Sequence, residues 1–391
     1  MMLANITDVD LFQLSRSLSY ASSIFALANT GNETVNFLSY NNSFKTDILG
    51  PCPAVTLIAN ESWNAFHEAG VYYKETNSAY ISSNFATNPY DQNRINVTVY
   101  NFTDGTISSI RYPKLAAANG ATLFTAPSCS SPETNGLEPN KSYVLWCDEG
   151  DFELPSALVA VDPVSGDQIP ILTSFMGRNF SSVNDIRQHP VTGDLWFTDA
   201  QYGAFQFFRP DPVIPSQVYR FDPSTGVVQA VADGFQQANG IEFSPDLQTV
   251  YVTDTGAQEF DFNNTRNTNI YAYNFSKDGK GLVNRRLFAV ADSGIPDGIH
   301  TDTMGNVYAS CGNGDGLHVW DPQGVLLGKF LVDEPGTNNF EFIPGGMLLF
   351  NGFRMWKIDL QATGREVEKE WGVISRSSAY SSCHAESYNM F

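Results

Sequence analysis

Residues 183–203 read VNDIRQHPVTGDLWFTDAQYG. An amide opens a short strand of alternating character, a turn rich in Pro and Gly follows, and a second strand ends in Thr-Asp. Period-two alternation marks a half-buried strand, and the Pro/Gly cluster between two such runs marks a hairpin. The same design recurs as ANGIEFSPDLQTVYVTDTG (238–256), PDGIHTDTMGNVYASCGNG (296–314) and NNFEFIPGGMLLFNG (338–352), with fainter copies at 66–84 and 117–126. Several copies are trailed by a further hairpin of one type: ALVAVDPVSG, QVYRFDPSTG and LHVWDPQG. Their Asp-Pro-x-x-Gly-type turns, one residue shorter in LHVWDPQG, close successive outer strands.

Six openings fall at Glu68, Asn119, Asn184, Asn239, Asp297 and Asn339, roughly 40 to 65 residues apart. Four short antiparallel strands per repeat at that period describe a propeller blade. The spacing therefore predicts an all-β, six-bladed β-propeller over residues 37–360. An amino-terminal arm of 1–36 with a short helix precedes it, and a tail of 361–391 follows. The arm lacks the basic start of a signal peptide. Asp8 and Asp10 ahead of Leu11, Leu14, Leu18 and Phe25 predict a capped amphipathic helix there.

Of the 391 residues, 42 are acidic and 22 basic, giving a net charge of −20, and 42% are hydrophobic. Such a balance argues against nucleic acid and anionic membranes, because both need a basic surface. No apolar run approaches the ~18 residues that span a bilayer. A small-molecule substrate is expected, with no nucleic acid, membrane or partner protein.

In a propeller the first strand of each blade lines the central channel, and all first strands run the same way. Glu68, Asn184, Asn239 and Asp297 therefore converge at one mouth, with Asn119 beside them. Two carboxylates plus amide oxygens form an all-oxygen set suited to a hard cation such as Ca²⁺. Cysteines and histidines are out of phase with it, so zinc is not expected. His67 and His300 are expected to face away from Glu68 and Asp297 on their strands. Glu149 and Tyr202 lie beyond second strands, where they can reach over the mouth. The run Phe205, Phe207, Phe208 either roofs an apolar pocket or seals a blade junction.

On these stretches the chain resembles the gluconolactonase, regucalcin and paraoxonase superfamily of six-bladed propellers, and within it the fungal lactonohydrolases. The resemblance runs from about Phe37 to Leu360. It implies a catalytic divalent cation, commonly Ca²⁺, held by Glu68, Asn184, Asn239 and Asp297, and hydrolysis of a lactone ring. Glu68 and Asp297 are the implied catalytic residues, Asp297 as general base. Asn119, Glu149 and Tyr202 are the residues expected to touch substrate. Paraoxonases carry a second, structural ion next to the metal Glu; Ala69 stands there in this chain, although Asp185 is present. Related propellers also shape ring-forming reactions, so a cyclase of the hetero-Diels–Alder type in fungal secondary metabolism is the alternative. Heavy Phe content and low charge would suit its apolar substrate.

Ten Asn-x-Ser/Thr sequons start at Asn5, Asn32, Asn41, Asn60, Asn96, Asn101, Asn140, Asn179, Asn263 and Asn274. That is roughly twice the chance number and predicts a secreted glycoprotein. Asn96 and Asn101 are expected on the outside of the first blade. Five cysteines allow up to two disulfides in that setting.

Overall fold

The computed structural model describes residues 2–3, 5–28, 34–84, 95–130 and 135–371. Six antiparallel sheets are arranged as the blades of a propeller. Their inner strands are Glu68–Tyr73, Ala118–Thr125, Ser182–Gln188, Ala238–Phe243, Ile295–Thr301 and Asn339–Ile343, defining blades 1 to 6. Each sequence repeat thus begins at an inner strand.

Blades 1 to 4 are four-stranded and sequential. Blade 6 draws its fourth strand, Ala54–Asn60, from ahead of blade 1 in the chain. This pairing ties the two ends of the ring together through backbone hydrogen bonds. Blade 5 is extended by Asn36–Ser39, antiparallel to Leu326–Leu331, and then by Ile6–Asp8, which pairs in parallel. The arm is therefore part of the blade edge, covering strand groups that would otherwise lie open.

The arm helix is split. Asp10 accepts the N–H groups of Phe12 and Gln13 and starts Leu11–Arg16, and Ser17 then breaks the chain before Leu18–Phe25. Leu11 and Leu18 are exposed, so the expected single amphipathic face does not form. Ile24 alone of these helices is buried, against Leu38 and Leu331.

Apolar side chains of adjacent blades form the core. Phe180, Phe197 and Tyr219 cluster on blade 3, and Tyr308 of blade 5 meets Phe340 and Phe342 of blade 6, mostly edge to face or tilted. Aromatic pairs at these separations add to simple area burial. The Phe content is thus largely accounted for by blade packing. Phe205 and Phe207 meet Phe260 of the next blade's loop, which settles their run as a junction at the rim.

Residues 361–371 pack across the far end of the channel. Arg365 pairs with Glu242, and Trp371 stacks on Tyr72 with centroids 3.5 Å apart. Val97–Asn101 is the third strand of blade 1, with Ile107–Ile110 outside it. Asn96 is buried and bonded to Ser109, contrary to the expected glycan site, because the outer strand covers it. Cys52 is disulfide-bonded, while Cys129, Cys147 and Cys311 are free. Cys383 lies outside the described residues; among the described cysteines Cys147 and Cys311 are shut inside separate blades and do not form the second disulfide that the count allowed.

Candidate functional site

Inner strands 1 to 5 each break register at the same point, two or three residues in. Blade 6 keeps a regular ladder. A bulge re-aims the side chain beside it, and here the side chains beside the bulges are Glu68, Asn119, Asn184, Asn239 and Asp297. Glycine follows Asn119, Asn239 and Asp297 for a steric reason. A Cβ at Gly120 would collide with the Asn184 carbonyl, one at Gly240 with the Asp297 carbonyl, and one at Gly298 with the Asn339 amide. The Asn-Gly and Asp-Gly pairs mark close approach of neighbouring inner strands around the ring.

Second strands hold this ring in place. Thr198 Oγ1 accepts from Asp185 N and donates to the Asn239 carbonyl. Thr253 Oγ1 likewise accepts from Gly240 N at 2.7 Å and donates to the Asp297 carbonyl at 3.0 Å. Asp148, Asp199 and Asp254 accept paired backbone N–H groups from the segments entering inner strands 2, 3 and 4. These residues escaped the sequence reading, although the repeated Thr-Asp of LWFTD and VYVTD was their signal.

The four expected cation ligands, with Asn119, Glu149 and Tyr202, line one cleft of about 320 Å³ at the channel mouth. All seven of the expected site residues are therefore brought together. Eight asparagines and two glutamines line it, against three apolar residues, Ile95, Ile295 and Pro335. The walls are mostly amide.

Glu68 and Asp297 are both buried. Burial pushes the Glu68 carboxyl well up, and the nearby Asp297 charge adds to the shift. Burial likewise raises Asp297, to about 7. Asn119 Oδ1 and Glu149 Oε1 are buried oxygens without a hydrogen-bond partner. Glu149 is raised to about 8, chiefly by burial and then by Asp148. Among the described residues no three His, Cys, Asp or Glu side chains are grouped as a metal cluster. The convergent set is two carboxylates and two amides, which matches a hard, oxygen-preferring cation, and orphaned acceptors beside it fit the same chemistry.

Blade 6 contributes two amides that reading for ligands alone passed over. Asn339 Nδ2 donates to Glu68 Oε2 at 2.7 Å, and its Oδ1 accepts from Phe340 N, which fixes the amide's orientation. Asn338 Nδ2 donates to Asp297 Oδ2 at 3.1 Å. Blade 6 sits between blades 5 and 1, so its amides orient one carboxylate from each neighbour. Tyr202 is buried, and its hydroxyl is engaged with Thr255 and with Asn239 Nδ2. It backs Asn239 from inside the cleft wall.

His67 also lines the cleft, contrary to expectation, and bonds to Asn84 and Asn338. Strict alternation does not extend to His67 because the strand only begins at Glu68. Burial lowers the His67 pKa to about 4. His300 does face away from the mouth; it points down the channel, 3.5 Å from Glu242.

Residues 134–346 match the SMP-30/Gluconolactonase/LRE-like region. A lactonohydrolase of Aspergillus oryzae is 31% identical over 299 residues, covering 72% of this chain and 64% of the relative. The chain thus spans a little under two thirds of that relative's length. A gluconolactonase of Zymomonas mobilis is 28% identical over 232 residues, covering 56% of this chain and 60% of that protein. A solved gluconolactonase of Xanthomonas campestris superposes with a TM-score of 0.64 at 23% identity, over 84% of this chain and 95% of its own. With the repeats, the six blades and the matched region in agreement, the chain belongs to the SMP-30/gluconolactonase/LRE-like family.

Proposed function

We propose that this chain is a lactone hydrolase dependent on one divalent cation, Ca²⁺, at the channel mouth. The observation that carries the reading is the convergence of Glu68, Asn184, Asn239 and Asp297 on one amide-lined cleft. Glu68 and Asp297 would hold the cation with their negative charge, and Asn184 and Asn239 with side-chain oxygens. A hard cation there supplies Lewis acidity to the lactone carbonyl.

The remaining chemistry belongs to the chain. Asp297 takes a proton from the water that attacks the carbonyl carbon, while Asn338 holds the carboxyl in line. A new C–O bond forms to water, the ring C–O bond breaks, and the proton passes to the leaving ring oxygen, giving a hydroxy acid. Glu68 is held by Asn339 and keeps its place opposite Asp297. Asn119 Oδ1 and Glu149 Oε1, unpartnered in the cleft wall, are available to substrate hydroxyls. The relatives named lactonohydrolase and gluconolactonase support the same reaction class.

The amide lining supports a small polar lactone over the apolar substrate of a cyclase. Secretion is part of the proposal. The exposed sequons at Asn5, Asn41, Asn60, Asn140, Asn179 and Asn263 support it, as does the disulfide at Cys52. Asn32 lies outside the described residues. The test is ring opening of hydroxylated lactones, followed by acid release, with wild type and Asp297→Asn. Loss of a general base should cost about 10²-fold or more. Equal turnover by the two proteins would refute the role of Asp297.

A further inference from the structure

Below the mouth, the centre of the channel is occupied by a side chain. Arg187 projects from inner strand 3 and is almost fully buried. Its Nη1 donates to Asp185 Oδ1 at 3.0 Å, to the Ile186 carbonyl at 2.7 Å and to the Ala121 carbonyl at 3.5 Å. Nη2 donates to the Ile299 carbonyl at 3.3 Å, and Nε to Glu242 Oε2 at 3.2 Å. Two carboxylates and three backbone carbonyls from the inner strands of blades 2, 3, 4 and 5 therefore surround one guanidinium.

That ring of oxygens has the composition of a structural cation's coordination shell. Channel-facing carbonyls released by the bulges need donors, because buried backbone acceptors are rarely left unpaired. A guanidinium offers five N–H groups in a rigid plane and keeps its charge when buried. A divalent ion placed beside it would meet a like charge at low dielectric. The second ion that the paraoxonase resemblance raised therefore does not fit: Asp185, the carboxylate left for it, is spent on Arg187.

We propose that Arg187 is the built-in axial cation of this propeller, doing with a side chain what a second metal ion would otherwise do. The channel centre is therefore independent of metal, and the chain takes up no axial ion. Removing the guanidinium would convert its shell into a cation site made of Asp185 Oδ1, Glu242 Oε2 and the three carbonyls. Arg365 retains Glu242 Oε1 and would not fill the gap, because it approaches from the tail side.

The test compares Ca²⁺ uptake by wild type, Arg187→Ala and Arg187→Lys in equilibrium dialysis, alongside thermal midpoints with and without Ca²⁺. Arg187→Ala should bind one equivalent more than wild type, and its lowered midpoint should recover with Ca²⁺ by more than the wild-type shift. Arg187→Lys keeps a charge in the shell and should bind no extra equivalent. The increment between variants decides the matter, whatever the mouth takes up, so failure here is separable from failure of the lactonase reading. If Arg187→Ala does not stay folded, refolding yield with and without Ca²⁺ reads the same property. No gain in yield or uptake with Ca²⁺, or an extra equivalent in Arg187→Lys, would overturn the proposal.

Discussion

Replacing Asn339 with Leu keeps nearly the same volume and removes the one donor that blade 6 gives to Glu68. The Nδ2–Oε2 distance is 2.7 Å, and both residues are buried. A buried hydrogen bond to a charged acceptor is worth about 1.5–3 kcal/mol. If Glu68 must be ionised and correctly turned to hold the cation, most of that is lost from binding. At about 1.4 kcal/mol per decade, Ca²⁺ affinity should fall about 10- to 100-fold. The substitution also orphans Phe340 N, so some loss of stability is expected whatever the role of Glu68. Affinity is therefore the informative readout. Calorimetric titration of metal-stripped protein with Ca²⁺ measures it, and kcat and KM at rising Ca²⁺ show whether saturation restores turnover. Unchanged Ca²⁺ affinity in a folded Asn339→Leu protein would refute the idea that blade 6 orients the ligand carboxylate.

Thr253→Val should orphan Gly240 N and the Asp297 carbonyl, at about 1–3 kcal/mol each, and lower the urea midpoint accordingly; a midpoint within error of wild type would contradict the blade-to-blade link. Burial pushes the Asp199 carboxyl up to about 7, against roughly 3.9 in an unfolded chain. The folded state holds that proton more tightly, so this group's stabilising contribution is present below about pH 4 and lost as pH rises through about 7. Asp199→Asn keeps one oxygen for the Ser182 N–H, loses the second that accepts from Ser181 N–H, and should flatten that part of the stability curve on a lowered baseline, measured as urea midpoints across the range. In protein from a secreting host, peptide mass spectrometry should find glycan at exposed Asn60, Asn140 and Asn263 but none at buried Asn96; a fully occupied Asn96 would contradict its packing against Ser109.

The blades were legible because each repeat announces its inner strand with an acid or amide and three of them close an outer hairpin with an Asp-Pro turn ending in Gly. The mouth was legible for the same reason: a ring of identical strands puts identical positions together. What stayed hidden depends on partners that no local pattern encodes. Ala54–Asn60 reads as a strand, but only closure of the ring shows that it completes blade 6 beside Arg354–Asp359. His67 escapes the strand's alternation because it lies one residue ahead of Glu68, where the strand begins. Asn338 and Asn339 look like another opening pair, yet without a bulge they orient carboxylates from blades 5 and 1. Arg187, a charge inside a strand otherwise buried throughout, was a visible signal of an internal ion network.

A catalytic cation at the mouth is tested most directly by pH-stat measurement of lactone opening by metal-stripped protein before and after Ca²⁺ is restored. Acid release should fall to the uncatalysed rate on stripping and return on adding Ca²⁺. Lactone opening that continues at the full rate in protein with no bound divalent metal would contradict the assignment of Glu68, Asn184, Asn239 and Asp297.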